Sequence, residues 1–433
     1  MQDEHGMRSG GGGGGSLRLL ALAPDAHYPP TNGLRMRMSA MFEALRDEGH
    51  RLVLIAAGAP AGEAAPACEV TEYVTRPAAP LSSPRAWGGR ARAALGGRAY
   101  TIERWRNRSW QRRIEFWLRS GRFDAIWCES PYPAINLPWP PPLPLIVNTH
   151  NLEYRLWQRY CGREPRRWRR AYASLEAWAL RRWELEVYRR AAMVLTCSRQ
   201  EAKLLRSQLP AGAQIVVAPN VVAPPASPPA GLERPWVVYT GGMDWWPNRD
   251  AVEFFGGQIW PRVHAALPEA EWIIAGREGP RRWQRRWQRL PGVRFTGAQA
   301  SLAPWLSVAA AAVVPLRIGA GTRFKILEAA AWSRAIVSTR VGAEGLAFRP
   351  GLELELADRA EDFAAALLAL MRNPARRREL GNAARRRLES DYSPANLRQA
   401  VAVGLAAGFG DKICQRGAHG AVLPAGCGHA IGA

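Results

Sequence analysis

Short apolar runs and helix-period segments alternate along this chain in two series, and a proline-rich stretch separates them. Strands that are apolar on both faces need helices to cover them, so this alternation confines the chain to α/β folds built on parallel sheets. In the first series, strands are expected at Leu17 to Ala23, Arg51 to Ala57, Ala125 to Cys128, Leu143 to Thr149, Met193 to Cys197 and Ile215 to Ala218. A loop from Pro24 to Gly33 and a helix through Met38, Met41, Ala44 and Leu45 join the first two, which makes a βαβ unit. A long helix is expected from about Arg166 to Arg190, with Trp168, Tyr172, Leu175, Ala179, Trp183 and Val187 at helical spacing.

The stretch Ala223-Pro-Pro-Ala-Ser-Pro-Pro-Ala-Gly231 can hold neither a helix nor a central strand and reads as a linker. Beyond it, strands are expected at Trp236 to Thr240, Glu271 to Ala275, Val293 to Thr296, Ala311 to Pro315 and Ala335 to Thr339. Helices fill the gaps, beginning near Asn248 and Thr322 and again over Ala360 to Arg372. The expected organisation is a flexible leader (1–16), a first Rossmann-like domain (17–222), a linker (223–235) and a second Rossmann-like domain (236–392). A helix (393–409) able to return to the first domain and a disordered tail (410–433) complete it. Two such domains would face each other across a cleft, with ligands at the carboxyl ends of the strands.

Composition excludes some function classes. No apolar run approaches a membrane span, and the opening residues lack the apolar stretch of a secretory signal. The 6 cysteines form no C-x-x-C pair, which argues against a disulfide framework or a zinc ribbon and for a reduced, cytosolic setting. Lys+Arg number 59 against 37 Asp+Glu, a net +22 that favours anionic partners: nucleic acid, an acidic membrane surface or phosphorylated substrates. The lysines are Lys203, Lys325 and Lys412 alone, so the excess is arginine spread along the whole chain.

Chemistry concentrates in Val313-Val-Pro-Leu-Arg-Ile-Gly-Ala-Gly-Thr-Arg-Phe-Lys-Ile-Leu-Glu328. A buried strand ends near Leu316, a glycine-bearing loop follows, and a helix is expected to start with Thr322 as its N-cap. Arg323 and Lys325 then fall in the first turn, where the helix dipole disfavours cations unless an anion is bound. Backbone N–H groups, close approach at Gly319 and Gly321, and the two side chains would together hold a diphosphate. Glu328 lies roughly 9 Å further along the axis, at a suitable distance to accept from ribose hydroxyls. The competing reading makes Arg323 and Lys325 a solvated face paired with Glu328.

This segment resembles the donor-binding motif of GT-B glycosyltransferases, in particular the retaining family 4, or group 1, enzymes. Tyr239-Thr-Gly-Gly-Met-Asp-Trp-Trp-Pro-Asn248 is similar to that family's first C-domain loop in its W-x-P-N variant, and Pro291 to Gly297 to its nucleobase-side strand and loop. Val337 to Leu346 resembles the strand and turn after the donor helix. Tyr28 to Arg35 and Val147 to Tyr154 resemble the glycine loop and the His-bearing strand end. The resemblance runs from about Leu17 to Leu397. It implies transfer of a sugar from a nucleotide diphospho-sugar to a glycan, lipid-linked or other acceptor, with retention at the anomeric carbon. That nucleotide sugar is a co-substrate; no separate cofactor is implied. Glu328 matches the ribose glutamate, Arg323 and Lys325 match basic positions near the diphosphate, and Gly297 falls on the base side. Two departures stand out. Ala320 occupies the place of a second glutamate on the donor sugar, and Met243-Asp-Trp-Trp replaces the usual arginine and lysine after the first C-domain strand.

Charge growing on the leaving oxygen would be stabilised by Arg323, Lys325 and the helix N-terminus. There is no D-x-D motif, so no metal is expected. His150, at the end of a predicted strand, would face the cleft and meet the donor sugar or the acceptor hydroxyl; a structural histidine is the alternative. Gly33 either lets backbone approach the substrate or is a simple turn glycine. Asn248 reads as an N-cap. Trp110, Ile114 and Trp117 among arginines, and the long helix likewise, read first as core-facing stripes, with an anionic membrane surface as the other possibility. Trp283, Trp287 and Leu290 read the same way. Cys414, His419, Cys427 and His429 match no common zinc spacing. The expected setting is cytoplasmic or peripheral on the inner face of a membrane. The alternatives are a nucleotide-sugar epimerase of the same fold and a basic nucleic-acid-binding protein.

Overall fold

The computed structural model describes residues 16–59, 67–76, 85–226 and 233–417. The first sheet holds Arg18–Ala23 (β1), Arg51–Ala57 (β2), Val70–Val74 (β3), Ala125–Glu129 (β4), Leu145–Asn148 (β5), Met193–Thr196 (β6) and Ile215–Val217 (β7). The second holds Arg234–Thr240 (β8), Glu271–Ala275 (β9), Val293–Phe295 (β10), Ala309–Val314 (β11), Ala335–Ser338 (β12) and Glu355–Leu356 (β13). Their orders are β3-β2-β1-β4-β5-β6-β7 and β10-β9-β8-β11-β12-β13, and all pairs are parallel. These are two Rossmann-like α/β units, the GT-B architecture. In each, the order reverses beside the first strand, which puts a crevice at the carboxyl edge.

The strands form where they do because both faces are covered. β1, β2 and β4 are buried almost throughout, with Leu20, Val53 and Ile126 on one side and Leu19, Leu52 and Trp127 on the other. Helix Gly33–Asp47 is closed at its start by Asn32, whose side chain accepts from Arg35 N–H, and it buries Met38, Met41, Phe42 and Leu45. Helix Pro394–Gly417 leaves the second unit and packs Leu397, Val401, Leu405 and Phe409 against the Gly33 helix side of the first. It continues to Gly417, past the point where the sequence ends it at 409. The second unit's first strand starts at Arg234, earlier than the expected linker boundary at 235. The leader before Ser16, residues 227–232 of the linker and the tail residues His419, Cys427 and His429 lie outside the described residues. Among the described residues, no helix is long and apolar enough to cross a membrane.

The aromatic stripes divide. Trp110 and Ile114 are buried, and Trp287 is buried with Trp283 packed beside it, so these stripes face the core. The Arg167–Arg190 helix forms as its pattern predicts, but Trp168 and Leu175 stand in solvent while Ala179 and Val187 are buried.

Candidate functional site

The carboxyl edges of the two sheets meet. On the second unit, the loop after β11 leads into helix Phe324–Ala331. Its N-cap is Arg323, with extended backbone (φ −107, ψ 109), not Thr322. Thr322 stands one residue before the cap and bonds to the other unit instead: buried Asn220 Nδ2 donates to Thr322 Oγ1 at 2.8 Å. The shift also separates the two cations. Arg323 is buried and turns back on its own loop, donating to the carbonyls of Ala320 and Gly321 and to that of Val341 in the helix Arg340–Ala343. Its guanidinium lies where a side chain on Gly319 would have to go. Arg323 is therefore a strut of the loop, and only Lys325 stands in the first turn.

Lys325 is partly buried. Its Nζ donates to Asn248 Oδ1 at 3.0 Å and sits 4.8 Å from the centre of the Tyr239 ring. Burial pushes the ammonium down to about 7, against the pull of Glu328. No ion pair reaches Lys325 among the described residues. Asn248 is not the N-cap that its sequence position suggests, since helix Trp246–Phe254 is capped at Trp245. It is a buried hub that also accepts from the Tyr239 hydroxyl at 2.8 Å and donates to Gly242 O at 2.8 Å. Glu328, one turn beyond Lys325, accepts from Thr240 Oγ1 at 3.4 Å. Burial raises its carboxyl, with Lys325 opposing. Gly297 follows β10 at the same edge of the sheet.

Opposite stands the first unit. Gly33 is the first residue of its helix, and a Cβ there would come within 3.0 Å of the Phe324 ring. Glycine leaves room for this approach, which brings two helix N-termini together across the cleft. Gly321 (φ +74) likewise fits a backbone pressed against His150 O and Asn151, which leaves no room for a side chain. Arg159 clamps the same loop, donating to Gly319 O and in two bonds to Glu344, at 2.5 and 2.7 Å.

His150 lies just past the end of β5 and reaches inward. Its Nε2 is 2.7 Å from Oε2 of Glu129, a fully buried residue ending β4. Glu129 also accepts from Trp127 Nε1 at 2.7 Å and Asn148 Nδ2 at 2.8 Å. A carboxylate with this set of donors fixes the proton on His150 Nε2 and leaves Nδ1 open. Burial lowers the His150 pKa, opposed by Glu129. Buried Arg37 continues the network, donating to Asn148 Oδ1 at 2.7 Å, and to Asn220 Oδ1 and Ala218 O at 2.9 Å. Through Asn220 the chain of bonds reaches Thr322. Glu129, Arg37, Asn220 and Arg159 were not found from sequence. A glutamate closing an otherwise apolar strand was the one local signal.

The arrangement brings together Lys325 at the start of a helix, a carboxyl one turn away, and an oriented imidazole across the cleft. A search of curated protein sequences found no match. Among solved structures, sucrose-phosphate synthase from Thermosynechococcus elongatus is similar over 91% of this chain and all of its own (TM-score 0.67, 19% identity). Anabaena HepE in complex with UDP and glucose is similar over 90% of this chain (TM-score 0.59, 12% identity) and 100% of its own length. A glycosyltransferase from Rickettsia africae is similar over 90% of this chain and 98% of its own (TM-score 0.58, 12% identity). At these identities the likeness is one of fold. Family models are more specific: residues 32–221 match the glycosyl transferase 4-like domain and residues 234–373 match glycosyl transferases group 1. The two matched segments sit on the two sheets whose edges form this cleft, and the chain belongs to the group 1 glycosyltransferases.

Proposed function

We propose that this enzyme moves a sugar from a nucleotide diphospho-sugar to a glycan, lipid-linked or other acceptor, with retention at the anomeric carbon and without a metal. One observation carries the reading: among the described residues, the Lys325 ammonium sits at a helix start with an amide oxygen and a ring face as its contacts and no direct ion pair, Glu328 lying a turn away. A buried cation without a direct counter-ion is unfavourable, and a diphosphate relieves it. The N–H groups of Phe324 and Lys325, which have no intrahelical partner at this helix start, favour the same ligand. HepE, whose structure is described with UDP and glucose, supports a nucleoside diphosphate as the class.

In this reading Lys325 and the helix start hold the diphosphate and stabilise charge on the leaving oxygen as the sugar departs. Glu328 accepts from the ribose hydroxyls, and Gly297 borders the base. His150, oriented by Glu129, presents Nδ1 to the sugar or the acceptor hydroxyl. Arg323 and Thr322 act indirectly by setting the shape of the Gly319–Gly321 loop, and Gly33 by admitting the Phe324 ring. Thermal unfolding against UDP, GDP, ADP and their sugars tests the reading. One nucleotide should stabilise the protein by about 2.7 kcal/mol at a hundredfold excess over Kd. Stabilisation by none of them, or a nucleotide sugar epimerised with no acceptor consumed, would refute it.

Binding should also be linked to pH. Lys325 begins near 7 and is drawn upward by a bound diphosphate, so the complex takes up a proton above that pH. Affinity is then flat below about pH 7 and weakens above it, by at most about tenfold per unit. Calorimetry in two buffers of different ionisation heat reads this uptake directly. Its absence would separate Lys325 from the phosphates.

A further inference from the structure

Where the sequence draws one apolar stripe along the Arg167–Arg190 helix, the structure buries only part of it. Trp168 (56% exposed), Leu175 (36%) and Trp178 (50%) fall seven and ten residues apart, on one helical face turned to solvent. Helix Arg85–Leu95 adds Trp87 (53%) and Leu95 (91%). The Trp87 and Trp168 rings lie 6.1 Å apart, and Trp178 covers Gly97, so the two helices present one surface. Single exposed apolar residues need no explanation, but several tryptophans in one patch do.

The charges on these helix segments are basic, and the flanking carboxylates Glu103 and Glu164 are each engaged by arginines. From residue 85 to 98 the sequence contains no Asp or Glu. From 165 to 183 it contains only Glu176, which is buried and accepts from the N–H groups of Tyr100 and Thr101. Arg90, Arg169 and Arg182 lie over the Trp87, Trp168 and Trp178 rings at 5.4, 5.1 and 4.7 Å, and Arg92 and Arg167 of the same two helices are exposed. Indoles that sit at headgroup depth, ringed by cations and without an exposed carboxylate, complement an anionic bilayer. A run of rings in mutual contact, Tyr172–Trp157–Tyr160–Trp246, leads from the patch to the junction of the two units.

We propose that the outer faces of these two helices dock on an anionic bilayer, with Trp87, Trp168 and Trp178 among the headgroups and the arginines on lipid phosphates. The docking rests on the patch; joined to the transferase reading, it names a lipid-borne acceptor met at the surface. The test is flotation of the full chain with phosphatidylcholine vesicles, with and without phosphatidylglycerol, in the absence of any sugar donor. Failure here therefore leaves the donor site untouched, and the reverse also holds. The expected result is capture by the anionic vesicles at least about tenfold above the neutral ones, declining with salt. The triple variant Trp87→Ser, Trp168→Ser, Trp178→Ser should lose about tenfold in partition at matched salt while keeping its unfolding temperature and nucleotide binding. Quenching of tryptophan by brominated lipid should likewise disappear in that variant. Equal partition of variant and wild type would overturn the proposal, because net charge alone would then explain capture. So would a concentration-dependent dimer, or oligonucleotide binding, that vanishes with the same three tryptophans.

Discussion

Lys325→Met is expected to lower kcat/KM by about 10²–10³ while leaving the fold intact, a loss of about 2.7–4 kcal/mol of transition-state stabilisation. The size follows from where the charge sits: a cation poised beside a departing diphosphate in a water-poor site acts most strongly when the bond is breaking. The fold should survive for the opposite reason. Lys325 is already discharged toward neutrality by burial, and its removal orphans nothing, since Asn248 Oδ1 keeps the Tyr239 hydroxyl at 2.8 Å. Methionine has nearly the same length and no desolvation cost. Lys325→Arg should not restore full activity, because Nζ is a point donor fitted between Asn248 Oδ1 at 3.0 Å and the Tyr239 ring, a place the broader planar guanidinium does not match. Glu328→Ala should lose activity as well, mainly in KM, as a ribose contact present in both ground and transition states would. Steady-state kinetics with the donor found by thermal unfolding check both. Near-normal turnover in the two variants would remove the donor site from this helix.

The fold was largely legible because its strands are apolar on both faces and punctuated by Gly and Pro. β2 and β9 have the bounds read from sequence, Arg51–Ala57 and Glu271–Ala275. β3 was missed because it is an edge strand: Thr71, Glu72 and Tyr73 are half-buried and carry no apolar run. The loop-to-helix segment was legible as an element, but its details were decided from the other domain. Local rules choose Thr322 as the cap, and Asn220, distant in sequence, takes its hydroxyl. Arg323 looked like a phosphate ligand because nothing in the sequence shows that two loop carbonyls and that of Val341, in the helix Arg340–Ala343, surround it. Arg159 and Glu344 were unreadable for the same reason: each is one charge among many in an arginine-rich chain. Glu129 shows how much a register conceals. It pairs across the sheet with Asn148, and only that pairing aligns Trp127, Asn148 and His150 around one carboxylate.

That carboxylate bears on the second large effect. Glu129→Gln keeps shape and removes charge, yet the amide cannot satisfy its neighbours. One side must still accept from Trp127 Nε1, so the amino group meets Asn148 Nδ2 and His150 Nε2, both donors. Asn148 cannot turn round without setting its own amino group against Arg37, which now donates to its Oδ1 at 2.7 Å. The remaining escape is for His150 to accept at Nε2 and carry its proton on Nδ1, which reverses what the imidazole offers to the cleft. An amide beside a working histidine costs up to about 10⁴ in rate through the wrong tautomer. We therefore expect a fall of about 10²–10⁴ in kcat, with about 1–3 kcal/mol lost in stability from the crowded donors. Nitrogen chemical shifts of His150 should show the proton moving from Nε2 to Nδ1, a change that a purely structural role for Glu129 would not require. In the double variant with His150→Ala, the Gln substitution should add almost nothing to the loss, because both act through one imidazole. Full activity in Glu129→Gln with the tautomer unchanged would reduce the pair to core scaffolding, and additive losses would place Glu129 on a separate path from His150.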